Sequence, residues 1–369
     1  MRYIRLDGLR GILAVMVALN HAYMVIAIPS FASIWHQNIF LFHDLQSKIQ
    51  QIFMLLGNGG LAVTIFFVLS GFVLGESAKK LDFTISKAIT FYLRRLLRLY
   101  PVYLFLIAIS ALYMWSGFTY RIYPASSEWF RWWMNFQMTF KELVLNKLFV
   151  HTYLGGVTWT LRVIIIASFL FPFMYFIFLR ANRVLSLGFV LLLLLAGFTI
   201  FDFQNFNDLR FPYMFYLGLT LPQWKGFFSS IRPSLVNWFI IPVIFTALYI
   251  RYISDVYQAM VLESLIAWLI LGVLAYNEKV RFLKILEGKT FQFLGGISYS
   301  LYLVNFTVLY IFSKLVFENI SPAFLTQNYL LSHSLIFIIT LAITILLSIG
   351  VHRFIEKPAQ ALSRKVGVK

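Results

Sequence analysis

The chain has 369 residues, a formal net charge of +17, no cysteine, and 60% hydrophobic against 12% charged residues, with a mean hydropathy of +0.81. These values exclude an ordinary soluble domain, in which about a quarter of residues are charged, and the absence of cysteine excludes disulfides, thiolate metal sites and a cysteine acyl-enzyme. The basic residues lie in short loops between apolar runs, which points to topology and anionic lipid headgroups and away from a nucleic-acid partner. Runs of about 20 apolar residues, shortened where Gly or Pro interrupts, predict an all-α, polytopic transmembrane helical bundle. Ten helices are expected, near residues 9–28, 56–75, 99–117, 158–179, 184–201, 209–222, 236–252, 259–276, 293–314 and 331–351. Residues 1–369 read as a single membrane-embedded domain with no separate extramembrane domain. Arg2 and Arg5 precede the first run as in a secretory signal, but the run is too long and lacks a small-x-small cleavage site, so it reads as a retained helix.

With the N-terminus inside, the cytoplasmic side receives 22 Lys and Arg and the opposite side eight, which places both termini in the cytoplasm. The connections 29–55 and 118–157 are then the long non-cytoplasmic ones. The second carries Trp129, Trp132, Trp133, Phe136 and Phe140. It reads either as a helix lying at the membrane interface or as a platform on which a sugar stacks.

The first helix carries two ionisable groups, Arg10 and His21, where hydrocarbon disfavours them. At roughly 100° and 1.5 Å per residue, eleven steps put His21 ~16 Å beyond Arg10 on the same face. Asp7 precedes Arg10 by about one turn, close to that line. A charge inside the bilayer costs roughly 2.5 kcal/mol or more, so such a stripe faces a cavity or a partner. The bland alternatives are that Arg10 snorkels to headgroups and that a neighbouring helix hydrogen-bonds His21. Farther on, the small-residue run at Gly57, Gly59, Gly60 and Gly71 reads as close helix packing, with Ser70 as its hydroxyl. Arg94, Arg95 and Arg98 are spaced three and four apart, on one side of a helix entering the membrane. Such a face either clamps phosphates with guanidinium forks or anchors to headgroups. Arg162 in the fourth span and Glu263 in the eighth are further costly groups and candidate partners. The six histidines have no ligand-like spacing with carboxylates, so no metal is expected.

Several stretches together resemble the acyltransferase-3 family of integral-membrane acyltransferases. Leu6-Asp7-Gly8-Leu9-Arg10-Gly11 followed by His21 is similar to its opening motif, and Phe66-Phe67-Val68-Leu69-Ser70-Gly71-Phe72 to its second-helix motif. Arg94-Arg95-Leu96-Leu97-Arg98-Leu99-Tyr100-Pro101, Gly296-Ile297-Ser298-Tyr299-Ser300-Leu301-Tyr302-Leu303 and Arg353-Phe354-Ile355-Glu356-Lys357-Pro358 follow in the family's order. Two positions depart from its pattern. After Trp159-Thr160-Leu161-Arg162-Val163, where family members commonly have Glu, this chain has Ile164, so an acid has to come from Glu263 or a loop. After Leu303, a Trp-His pair is replaced by Val304-Asn305, and Asn305 hydrogen-bonds but takes no proton.

The resemblance implies a multi-pass protein of the bacterial inner membrane that moves an acyl group, usually acetyl, from cytoplasmic acyl-CoA (acetyl-CoA) to a hydroxyl of a cell-envelope carbohydrate or similar acceptor. His21 is then the general base, or an acyl carrier, with Arg10 and Asp7 beside it in the catalytic group, and Arg94, Arg95 and Arg98 bind the donor's phosphates. Ser70, Trp159, Arg162, Glu263, Tyr299 and Asn305 are candidates for substrate contact. Two rival readings are a carrier or flippase of a lipid-linked sugar, and a catalytically silent family member serving as a partner subunit.

Overall fold

The computed structural model describes residues 3–29, 42–79, 85–199 and 207–366. It is all-helical, and no strand forms among the described residues. Helix α1 is Ile4–Ala22, α2 Leu45–Leu56, α3 Gly59–Ala78 and α4 Ile85–Trp115. Two short helices follow, α5 Glu128–Trp132 and α6 Phe140–Lys147, then α7 Thr158–Arg180, α8 Arg183–Thr199, α9 Pro212–Thr220 and α10 Lys225–Ser230. The chain continues with α11 Pro233–Tyr249, α12 Val256–Tyr276, α13 Lys289–Asn319, α14 Pro322–Gln327 and α15 Tyr329–Val351. It ends in a π turn, His352–Glu356, and α16 Lys357–Lys365.

Each of the ten predicted places holds a helix, but seven stretches among the described residues are long and apolar enough to cross a membrane: Leu45–Ala78, Lys87–Trp115, Thr158–Arg180, Pro233–Tyr252, Val256–Tyr276, Lys289–Asn319 and Tyr329–Lys365. Helix α1 carries Arg5, Asp7 and Arg10 within 19 residues. Helix α8 has 17 residues and α9 only nine. The connection 29–55 also differs from expectation, because its second half is helical. Asp44 caps α2 by accepting from Ser47 N at 2.7 Å, and residues 30–41 lie outside the described part. The connection 118–157 folds into α5 and α6, started by Ser127 and Thr139, whose hydroxyls accept from Phe130 and Glu142 N–H groups.

Glycines set the two closest helix contacts. A Cβ on Gly11 would lie 2.6 Å from Gly295 N, and one on Gly295 would lie 2.0 Å from Asp7 O, so α1 and α13 meet backbone to backbone. On α3 and α9, a Cβ on Gly71 or Gly218 would stand 1.8 Å from a carbonyl of the facing helix. These contacts draw α1, α3, α9 and α13 together, and the polar residues of α1 face the spaces left beside them.

Candidate active site

A cavity of about 130 Å³ is lined by Arg10 of α1, Ser70 of α3, Arg95 and Arg98 of α4, Tyr299 of α13 and Glu356 of the π turn. Arg95 is held by Ser168 Oγ, which accepts from its Nε at 3.2 Å and Nη2 at 3.0 Å. Ser168 in turn donates to the Ile164 carbonyl at 2.6 Å. Tyr299 hydroxyl donates to the Leu99 carbonyl at 2.6 Å. Glu356 is buried, and its Oε2 accepts from Ser300 Oγ at 2.6 Å and lies 2.9 Å from His352 Nδ1, while Oε1 accepts from Gln360 Nε2 at 2.8 Å. The extra residue of a π turn re-aims a side chain at the end of a helix, and here it accompanies a carboxylate set among three guanidinium groups. The cavity is net positive in its charged lining, as an anion site requires.

A second cavity, of about 270 Å³, is lined by His21, Asn20, Asn58, Trp129, Trp159 and Arg251 among others. His21 stands in the last turn of α1, not half-way along a longer span, because the helix ends at Ala22. A short apolar run such as Tyr23-Met24-Val25-Ile26-Ala27-Ile28 is compatible with helix or extended chain, and Pro29 favours the extended form just before it. The freed backbone groups find partners. Tyr23 O accepts from Gln50 Nε2 at 3.0 Å, Met24 O from Ser127 Oγ, and Val25 O from Ser127 N at 2.9 Å. Ile26 N–H donates to His333 Nε2 at 3.0 Å, and His333 Nδ1 lies 3.2 Å from Gln50 Oε1. Gln50, Ser127 and His333, from three different parts of the chain, thus hold the broken end that carries His21.

The His21 ring stacks on Trp129 with centroids 5.2 Å apart and meets Phe306 edge-on at 6.1 Å. Its Nδ1 is buried and makes no hydrogen bond among the described residues. The imidazole is therefore oriented by rings, with a nitrogen available for proton exchange. Across the cavity, Arg251 pairs through Nε and Nη2 with both oxygens of the fully buried Glu263, whose Oε2 also accepts from Thr64 at 3.3 Å. The guanidinium lies against Gly60, where a Cβ would come within 2.4 Å of Cζ.

The two cavities have Val63 and Tyr302 in common and no other lining residue. One helix, α1, supplies Arg10 to the first and His21 to the second.

A family model described as an acyltransferase domain matches residues 3–350, nearly the whole chain. The chain belongs to the acyltransferase-3 family. It is a multi-pass membrane acyltransferase. No curated protein and no solved structure matches it.

In this acyltransferase the twelve residues singled out by sequence divide unequally. Arg10, Ser70, Arg95, Arg98 and Tyr299 meet in the first cavity, and His21 and Trp159 in the second. Asp7 lies 4.0 Å from Arg10 without lining the cavity. Arg94 shares its helix with Arg95 and Arg98 but turns to the C-terminal helix, donating to Val366 O at 2.9 Å. Arg162 and Glu263 are not partners. Arg162 pairs with Asp208 at 2.6 Å and Glu263 with Arg251. Asn305 lies one turn past Tyr302, buried, outside both linings, with Nδ2 unbonded among the described residues. Ile164 lines the arginine cavity, and the carboxylate there is Glu356, not Glu263. The aromatic connection is no uniform interfacial helix: Trp129 is buried against His21, whereas Trp132 is 73% exposed.

Sequence reasoning missed Arg251, Glu356, Tyr302, Gln50 and His333. Glu356 and Tyr302 lie inside stretches that carry the family resemblance, so a signal existed. Gln50 fell in a connection read as a loop, and His333 and Arg251 sit near span ends where single polar residues are unremarked.

Proposed function

We propose that this acyltransferase moves an acetyl group from cytoplasmic acetyl-CoA to a hydroxyl of a cell-envelope carbohydrate or similar acceptor. The observation that carries the reading is that an arginine-lined and a histidine-lined cavity lie side by side with Val63 and Tyr302 as their shared wall. Arg95 and Arg98 hold the pyrophosphate and ribose phosphate of the donor, as guanidinium forks do. Arg10, steadied by Asp7, lies between these phosphates and the junction, and the thioester extends towards His21. His21 takes the proton of the acceptor hydroxyl as its oxygen attacks the carbonyl carbon. The C–O bond forms, the C–S bond breaks, and the thiolate leaves with the proton returned by His21. Trp159, Trp129 and Asn58 form the acceptor side, where rings and amides suit a pyranose.

The topology that fits is ten crossings with both termini cytoplasmic in a bacterial inner membrane, with lipids around the bundle. The 22 to 8 distribution of Lys and Arg supports it. Helices α1 and α8 then cross as members of the bundle, and α9 does so together with the short helical turns that flank it, Asn207–Arg210 and Leu221–Trp224, where neighbouring protein relaxes the demands of lipid. Ile164 in the arginine cavity is the one observation that favours a silent partner subunit, and Glu356 in the same cavity answers it.

The test is acetyl-CoA binding to the purified protein at fixed ionic strength, beside an Arg95→Ala, Arg98→Ala double variant. Each charge-assisted bond contributes ~1.5–3 kcal/mol, so the double variant should lose at least about a hundredfold in affinity. No binding by the unaltered protein would end this reading in favour of the carrier or the silent subunit.

A further inference from the structure

Tyr302 stands in the wall that the two cavities share, and its hydroxyl position follows from its neighbours. Thr160 Oγ1 donates its proton to Val157 O at 2.7 Å. The contact of 3.0 Å between Thr160 Oγ1 and Tyr302 hydroxyl is therefore made by the tyrosine proton. Thr160 lines the arginine cavity, while Tyr302 lines both. The ring is fixed edge-on against Phe66, with centroids 5.8 Å apart, and the side chain of its wall partner Val63 has no polar atom. In the wall shared by the Arg10 and His21 cavities the structure thus holds a buried phenol whose single proton rests on a threonine oxygen that already has its own partner.

We propose that Tyr302 is a catalytic residue: its hydroxyl turns from Thr160 to the thioester carbonyl and donates a hydrogen bond to the oxyanion formed when the acceptor attacks. This rests on the donor reading above, which brings the thioester to the junction. When oxygen adds to the carbonyl carbon, the negative charge develops on the carbonyl oxygen, and a hydroxyl on a ring already held against Phe66 needs only to rotate to stabilise that charge more than the ground state. As the intermediate collapses, the oxyanion's electron pair re-forms the C=O bond, the C–S bond breaks with its pair leaving on the coenzyme A thiolate, and the tyrosine hydroxyl turns its hydrogen bond back to Thr160. No proton is lost or gained by Tyr302 in the cycle. Resting on Thr160 keeps the buried hydroxyl satisfied between turnovers, so the donor costs little to hold in place.

The experiment uses the full chain in detergent or vesicles with acetyl-CoA, water or sugar serving as acceptor, and reads the coenzyme A thiol released. The protein contains no cysteine, so a thiol reagent reports only the product. Tyr302→Phe should lower kcat by about a hundred- to a thousandfold, as removal of an oxyanion donor does, while acetyl-CoA affinity and KM stay within about twofold of the unaltered protein. His21→Ala is run beside it. If Tyr302→Phe keeps kcat within about threefold while His21→Ala is inactive, the role of Tyr302 is overturned and the donor reading stands. If the unaltered protein neither binds nor cleaves acetyl-CoA, both fall. Should Tyr302→Phe fail to bind acetyl-CoA because it misfolds, a fluorinated tyrosine at this position keeps the shape and acidifies the phenol. The stronger hydrogen-bond donor should then change kcat progressively as fluorines are added, and a kcat that does not respond to fluorination overturns the proposal.

Discussion

Arg95 and Arg98 reach their cavity from one uninterrupted helix, whereas His21 reaches its cavity from the last turn of a helix that stops inside the protein. On the arginine side, helical periodicity alone puts the two guanidinium groups on one side of α4, and Ser168 on α7 needs only to steady one of them. On the histidine side, local bonds reach only as far as Met24 N–H, and the chain beyond is held from elsewhere. Gln50, Ser127 and His333 supply the bonds that the helix gave up, and Trp129 and Phe306 fix the ring. A charged patch can be assembled from spacing. A broken backbone at membrane depth is stable only when every freed group is matched from elsewhere.

The sharpest way to separate the two regions is His21→Ala. It should lower transfer by about a hundred- to ten-thousandfold, the range of a lost general base, and leave acetyl-CoA affinity unchanged by isothermal titration. A loss of affinity together with transfer would mean that His21 itself helps to bind the donor. Glu263→Ala comes next. It strands Arg251 as a buried, unpaired charge, which costs ~3–5 kcal/mol, and thermal unfolding in detergent should show it as a lower midpoint. An unaltered midpoint would mean that Arg251 reaches solvent or lipid headgroups without its partner.

His333→Ala removes the acceptor of the Ile26 N–H, a loss of ~1–3 kcal/mol for a buried unsatisfied group. Hydrogen exchange should rise in peptides covering residues 19–28 and stay as it was over 8–18, with transfer reduced and partly restored by His333→Gln, whose amide accepts and donates. Exchange that rises evenly through the protein would assign His333 to general packing. The smallest effect is expected for Ile164→Glu. A carboxylate added beside Arg95 contributes on the order of 1 kcal/mol, and because Glu356 already occupies the cavity, transfer should change less than about threefold. A tenfold gain would reveal a decayed site and revive the silent-subunit reading.

The same contrast separates what the sequence makes legible from what it hides. Arg95 with Arg98 and the close packing at Gly71 follow from a 3.6-residue period and side-chain size, and the structure agrees with both, whereas Arg10 and His21, read as one stripe, line two different cavities. The end of α1 at Ala22 was not legible, because an apolar run looks the same whether it continues as helix or unwinds in a buried place. Arg94 has the right spacing and the wrong neighbour, since α16 packs beside α4 and captures it. Arg162 and Glu263 were both recognisable as costly, but which helix lies beside which is decided by packing. They therefore found Asp208 and Arg251 instead of each other.

The bond from Ile26 to His333 joins residues 307 positions apart. During synthesis the first helix therefore emerges with an end that its nearest neighbours in the chain cannot satisfy, and it waits for α15 to arrive. Glu356 and Gln360, which complete the lining of the other cavity, come later still. Long-range closure of this kind is slow and leaves an incomplete chain recognisably unfinished. Without the last 40 or so residues nearly all the helices are present, yet the arginine cavity lacks Glu356 and Gln360 and the end that carries His21 lacks its partner His333.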